Sequence, residues 1–209
     1  MKIKIAIAAS LLLLPVSTTA FAQTTSIQTI KQESSATKYK KAMSKKQKQT
    51  PMTQSMVNQF NSGKTMNIDL FNKEFVKLVN KERVAAHAKP IVYNPKLLKG
   101  ASIRAQEQAN TNKISHIRPN GQLFNTVYTG SLKRIVKAEN VAYTYYNNNA
   151  YTLVSEKYLA QKLYTLWKKS PSHHKNIINP KFKGTAVSFK YAKVNGKYTY
   201  GYAAQILNK

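Results

Sequence analysis

An α+β fold is predicted by three observations: helical periodicity between residues 69 and 170, a switch to strand periodicity at the C-terminus, and an Asn195-Gly196 pair between two aromatic runs. Helices first and an antiparallel pair last imply layers of helix packed on sheet. Residues 67–209 are enough for one domain, since a chain near that size buries about 68–70% of its unfolded surface without covalent staples. There are no cysteines, so stability must come from packing rather than disulfides.

The first helix is expected over DLFNKEFVKLVNKERVAAHAK. Phe71, Phe75, Leu78 and Val79 share one stripe there, with Asp69 as N-cap. After a turn around Pro90, NPKLLKGASIRAQEQANTNK starts a second helix, Asn94 capping and Pro95 at the first helical position. Its Leu98, Ala101, Ala105 and Ala109 form a stripe of mostly small residues that lets a neighbouring layer approach. A third helix through TLVSEKYLAQKLYTLWKKS turns Leu159, Leu163, Leu166 and Trp167 inward and ends at Pro171. The closing GTAVSFKYAKVNGKYTYGYAAQILN reads as a hairpin about Asn195-Gly196.

Two segments precede this domain. Residues 1–22 carry Lys2 and Lys4, the apolar run IAIAASLLLL and the small-x-small signal Ala20-Phe21-Ala22, the pattern of a secretory signal peptide. Residues 23–66, rich in Lys, Gln, Ser and Thr, read as a disordered basic spacer, because so few apolar residues cannot offset the ordering entropy. The expected product is an exported protein, free in solution or held in a cell wall.

Net charge is +27, with 34 basic residues against 7 acidic; only Arg83, Arg104, Arg118 and Arg134 are arginines. Residues 67–209 alone carry 24 basic and 6 acidic side chains. A field of that sign draws the protein toward anionic wall polymers or a membrane surface. Nucleic acid is disfavoured by export, by the scarcity of arginine for bidentate reading, and by the lack of a docking motif.

Three stretches hold polar groups in loop-like settings: SHIRPNG at 115–121, AENVA at 138–142 and SPSHHKN at 170–176. If they converge, His116, Glu139 and His173 or His174 unite two imidazoles and a carboxylate. That set suits a divalent metal such as zinc. It equally suits a hydrogen-bonded cluster in which the carboxylate orients an imidazole.

With NKERVAAHAKPIVYNPKLLKGASIRAQEQA, SHIRPNG, AENVA, Trp167 followed by SPSHHKNI, and the aromatic hairpin, residues 69–208 resemble the bacterial branch of the CAP superfamily. These are the cysteine-rich secretory, antigen 5 and pathogenesis-related proteins, whose domain is also called SCP. The resemblance implies an α-β-α sandwich with a central antiparallel sheet and a cleft holding a His/Glu cluster. His116 matches the first family histidine, Glu139 the glutamate of the GEN-type motif and His173 the histidine of the SPGH motif. His174 falls where arginine is common. The family further implies a divalent ion between the two histidines in several members, and sterol or other lipid grooves in some. This chain departs from the pattern at Ser172 and Ala138, where glycine is usual, and in WKKSPS, which lacks the second glutamate of many members.

The leading functional expectation is a non-catalytic binding module for anionic surfaces. One alternative is a metal-dependent hydrolase or protease, with Glu139 as general base beside His116 and His173. Another is a small-lipid binder, with Tyr143, Tyr145, Tyr146 and Tyr151 around a groove.

Overall fold

The structure, a computed structural model, describes residues 53–63, 65–147, 155–195 and 198–209. The signal peptide, most of the spacer, Tyr151 and Gly196 lie outside the described residues, as does the side chain of Tyr146.

The described fold begins earlier than composition suggested. Gln54–Asn61 forms helix α1, capped by Thr53, whose side chain accepts from the Met56 N–H. Val57 and Phe60 are buried, and Phe60 meets Tyr191 edge-on at 6.1 Å. The folded unit therefore includes residues assigned above to the spacer. Two apolar side chains on one face are enough to seat a short helix on an existing core, and average composition does not register them.

Helix α2, Ile68–Ala85, buries Phe71, Phe75 and Val79 as the stripe predicts, with Leu78 half-buried. Its N-cap is Asn67, accepting from the Leu70 N–H at 3.0 Å, and not Asp69, which instead accepts from the Tyr93 hydroxyl. Strand β1 is only Val92–Tyr93. A 3₁₀ turn at Pro95–Leu97, capped by Asn94 as expected, leads into helix α3, Leu98–Thr111. Ala101, Ala105 and Ala109 are buried along α3. At Gly100 a Cβ would sit 2.1 Å from Tyr128 Cζ, so the close approach there requires glycine.

A six-residue helix α4, Gly130–Ile135, precedes strand β2, Val136–Asn147. AENVA and Tyr143, Tyr145 and Tyr146 are therefore strand, not loop; alternation explains the two polar residues, because Glu139 and Asn140 leave on opposite faces. Helix α5, Glu156–Lys168, buries Leu159, Leu163 and Trp167, but Leu166 is 37% exposed at the margin of the stripe. Pro171 does not merely stop α5. It is the first residue of helix α6, Pro171–Ile177, so the SPSHHKN stretch is helical too. Strands β3, Gly184–Asn195, and β4, Tyr198–Asn208, pair antiparallel, and the Asn195–Tyr198 pairing brackets the expected turn.

The fold is α+β, with sheet order β1-β3-β4-β2. The three long strands are antiparallel as expected; β1 adds a short parallel pairing to β3, so the sheet is mixed. Adjacent residues enter opposite layers: Ala186 and Ile206 join Leu97, Ala101 and Tyr128 under α3, while Val187 and Leu207 join Phe75, Leu163 and Trp167 under α2 and α5. Asparagines finish the outer edge of β3. Asn72 bridges the N–H and carbonyl of Val187, and Asn61 does the same for Tyr191. Each side-chain amide stands in for a neighbouring strand where β1 is too short to pair, which closes an edge otherwise open to association.

Candidate functional site

β2 is the far edge of the sheet, and the site straddles it. On the α3 side, Glu139 is fully buried; its Oε1 accepts from Arg104 Nε at 2.8 Å and its Oε2 lies 2.9 Å from His116 Nδ1. With a carboxylate acceptor, Nδ1 carries the proton and Nε2 is the acceptor of the neutral ring. Arg104 also donates to the Glu107 carboxylate and to the Ser115 carbonyl. Glu107 Oε1 in turn takes Nε and Nη2 of Arg118, whose Nη1 donates to Thr126 Oγ1. One chain of charge-assisted bonds thus runs from β2 through α3 into the SHIRPNG loop and holds His116 at its end, its side chain 53% exposed.

On the other side of β2, Asn140 Nδ2 donates to the His173 carbonyl and to Gln205 Oε1, while its Oδ1 accepts from Asn176 Nδ2 at 2.7 Å. This amide fixes α6 against the strand and so places His173. Burial lowers the His173 pKa, and the His116 charge lowers it further, so the two imidazoles feel each other across the strand edge. His174 is not a loose surface residue. Its Nε2 lies 2.8 Å from Glu82 Oε1, and Glu82 also accepts from Lys168 Nζ and the Tyr164 hydroxyl. The Lys168 hydrogen bond leads the forces that hold the Glu82 pKa down to about 2, against a burial effect that works the other way.

The three stretches do come together, but of the histidines Glu139 engages only His116. Among the described residues, no three His, Asp or Glu side chains are placed to hold a metal ion. Both Glu139 oxygens are engaged and the side chain has no exposure, so it can neither ligate a cation in the cleft nor reach a water there as a base. The set His116, Glu139 and His173 therefore does not fit a three-ligand zinc site; it matches the alternative of a carboxylate orienting an imidazole. Ser172 lies within α6, and among the described non-glycine residues only His87 and Asn112 have positive φ, so glycine is not needed at 172. Tyr143 and Tyr145 are exposed on the sheet, Tyr143 stacking on Tyr200 at 6.0 Å, and neither lines the cavity of about 230 Å³ between α3 and residues 113–119. Arg104, Asn140 and Asn176 were missed as site residues. The signal was faint: a charged residue in the small stripe of α3, and an asparagine next to Glu139.

The model of the cysteine-rich secretory protein family, CAP, matches residues 76–204. The chain belongs to this family. The CAP region contains the whole edge-strand site, from Glu82 and Arg104 to Asn176. Over 123 residues the chain is 24% identical to the uncharacterised protein YkwD of Bacillus subtilis, a match covering 58% of this chain and 43% of YkwD, so the chain spans less than half of that relative. Among solved structures, an extracellular protein of Bacillus anthracis containing an SCP domain aligns at TM-score 0.42 and 17% identity, covering 77% of this chain and 45% of that one. An outer surface protein of Borrelia burgdorferi aligns at TM-score 0.42 and 12% identity, over 76% of this chain and 96% of its own.

The coupling between the imidazoles has a measurable consequence. In an NMR titration His173 should lose its proton below the ordinary histidine range, and His116→Ala should move that pKa upward but not fully back, because burial remains. A His173 pKa unmoved by the substitution contradicts the coupling.

Proposed function

We propose that this CAP-domain protein is an exported, non-catalytic binding module held to an anionic wall polymer or membrane surface by its lysines. The observation that carries this reading is how the fold sorts its charges. Glu82, Glu107, Glu139 and Glu156 are each engaged by partners within the fold, and Arg83, Arg104 and Arg118 are buried or paired. Lysines remain outside: Lys73, Lys77, Lys81, Lys89, Lys133 and Lys175 are among those exposed. The outward charge is therefore carried almost wholly by lysine, as solvated point charges suited to diffuse polyanions. Export rests on the N-terminal signal pattern and agrees with a family described as secretory. Glu139, buried and engaged at both oxygens, is not available for the general-base role that the hydrolase alternative assigns to it.

Retention of the purified protein on wall fragments tests this. Raising salt until the Debye length falls from about 10 Å to about 3 Å should release most of the bound protein. His116→Ala and His173→Ala should be retained like the parent. Binding that persists unchanged in high salt, or is lost in the histidine variants, contradicts the reading.

A further inference from the structure

The exposed cations are not evenly placed. At the end of the sheet where β2 and β3 begin and β4 finishes, Asn208 pairs with Val136 on one side and Gly184 on the other. Its carbonyl accepts from the Lys183 N–H at 2.9 Å, and its Oδ1 accepts from Asn94 Nδ2 at 3.3 Å. The next residue, Lys209, donates its N–H to the Ile135 carbonyl. Asn94 also caps Lys96, through Oδ1 and the Lys96 N–H at 3.1 Å. These bonds gather four segments, 94–99, 129–138, 181–185 and 205–209, around one residue. At Gly184 a Cβ would lie 2.3 Å from Asn208 Oδ1, so the strands meet there without room for a side chain.

Those segments carry eight cations, Lys96, Lys133, Arg134, Lys137 and Lys183 among them, all exposed, and contain no Asp or Glu. Three adjacent strands span only about 10 Å at this edge. The cations are thus concentrated on a rigid framework, so little ordering is required when they meet a ligand. The other lysine row, Lys73, Lys77 and Lys81 on the outer face of α2, differs in kind. Its helix also carries Asp69, Glu74 and Glu82, which interrupt the field.

We propose that the sheet end around Asn208 is the surface that grips the anionic partner, and that this partner is a linear phosphodiester polymer. This rests on the binding-module reading above and locates its site. Ammonium groups bind phosphate as point charges and demand no fixed orientation, which suits a flexible chain with a charge on every repeat. The histidine cleft takes no part.

The test compares two full-length triple variants with the same change in net charge. One carries Lys133→Glu, Arg134→Glu and Lys137→Glu; the other carries Lys73→Glu, Lys77→Glu and Lys81→Glu. The probe is soluble poly(glycerol phosphate), with affinity measured across a salt series and folding checked by thermal melting. The sheet-end variant should lose about tenfold or more in affinity. Its log-log salt slope should fall by about 2, at about 0.7 for each phosphate of a flexible strand that the protein no longer neutralises. The α2 variant should lose less than about threefold. Equal losses in both variants overturn the localised surface while leaving the binding-module reading in place. Failure of the unchanged protein to bind either the polymer or phosphatidylglycerol vesicles at low salt overturns that reading as well. Tighter capture by phosphatidylglycerol vesicles than by polymer at matched phosphate overturns the polymer as partner in favour of a membrane.

Discussion

Arg83→Met should destabilise the fold by about 3–5 kcal/mol and lower Tm by roughly 10 °C. Arg83 is fully buried at the end of α2, and among the described residues no carboxylate pairs with it. Its Nε donates to the Lys89 carbonyl at 2.7 Å, Nη1 to those of Ile177 and Asn179 at 2.7 and 3.0 Å, and Nη2 to that of Phe182 at 3.0 Å. One guanidinium joins the turn after α2, the C-terminus of α6 and the loop leading to β3. Burial lowers its pKa, while the carbonyl dipoles, including one at a helix C-terminus, favour the cation. Methionine keeps much of the stem's volume but leaves these carbonyls without their donor, each buried one costing about 1–3 kcal/mol. Arg83→Lys should recover only part of the loss, because one ammonium cannot span the same fork. Urea or thermal melts decide it; a cost under about 1 kcal/mol for the methionine variant contradicts the hub. A chain with no disulfide in a family described as cysteine-rich holds these loops through such a hub.

Arginine and lysine thus divide the work in this protein. Arg83, Arg104 and Arg118 each reach partners on more than one segment, which a planar fork does and an ammonium does not. Lysines supply the outward charge. Composition alone showed the scarcity of arginine, from which little bidentate reading of an external ligand is expected. It did not show that three of the four arginines hold the fold together.

What was legible in the sequence follows from the range of the forces involved. Periodicity is local, so the α2 stripe, the Asn94-Pro95 start, the small residues of α3 and the C-terminal strand pair were all readable. Leu166 was misplaced because it borders a stripe in which the larger Trp167 takes the buried position against Phe75 at 5.5 Å. α1 was missed because Met56, Val57 and Phe60 sit in a polar segment and gain meaning only from a core that includes Tyr191, far along the chain. Strand β2 was hidden by Glu139 and Asn140, which look like loop residues until an edge strand gives each a different face. His116, Glu139 and His173 were found as a set. Their unequal roles were not readable, because Arg104, which turns Glu139 into a support for His116, lies on a helix whose sequence says only that it is small and buried.

The second large effect is expected at Arg104, and the informative measurement is a double substitution. Burial alone would lower the Arg104 pKa, but Glu139 and then Glu107 outweigh it and raise the value, so the cation is held by its partners. Arg104→Met leaves the fully buried Glu139 without its guanidinium and frees the Ser115 carbonyl, at a cost of about 3–5 kcal/mol. Adding Glu139→Leu removes the stranded charge. The double variant should therefore be more stable than Arg104→Met alone, because an apolar pair in place of a buried ion pair is often neutral while a broken pair is not. Stability and site should then part company: the double variant regains folding free energy while the His116 ring, with no carboxylate at Nδ1, loses its fixed tautomer. Nitrogen chemical shifts of the His116 ring, read beside urea melts of the parent and both variants, separate the two effects. A double variant less stable than Arg104→Met would mean that Glu139 stabilises the fold through His116 rather than through Arg104, and the order of dependence along the network would be reversed.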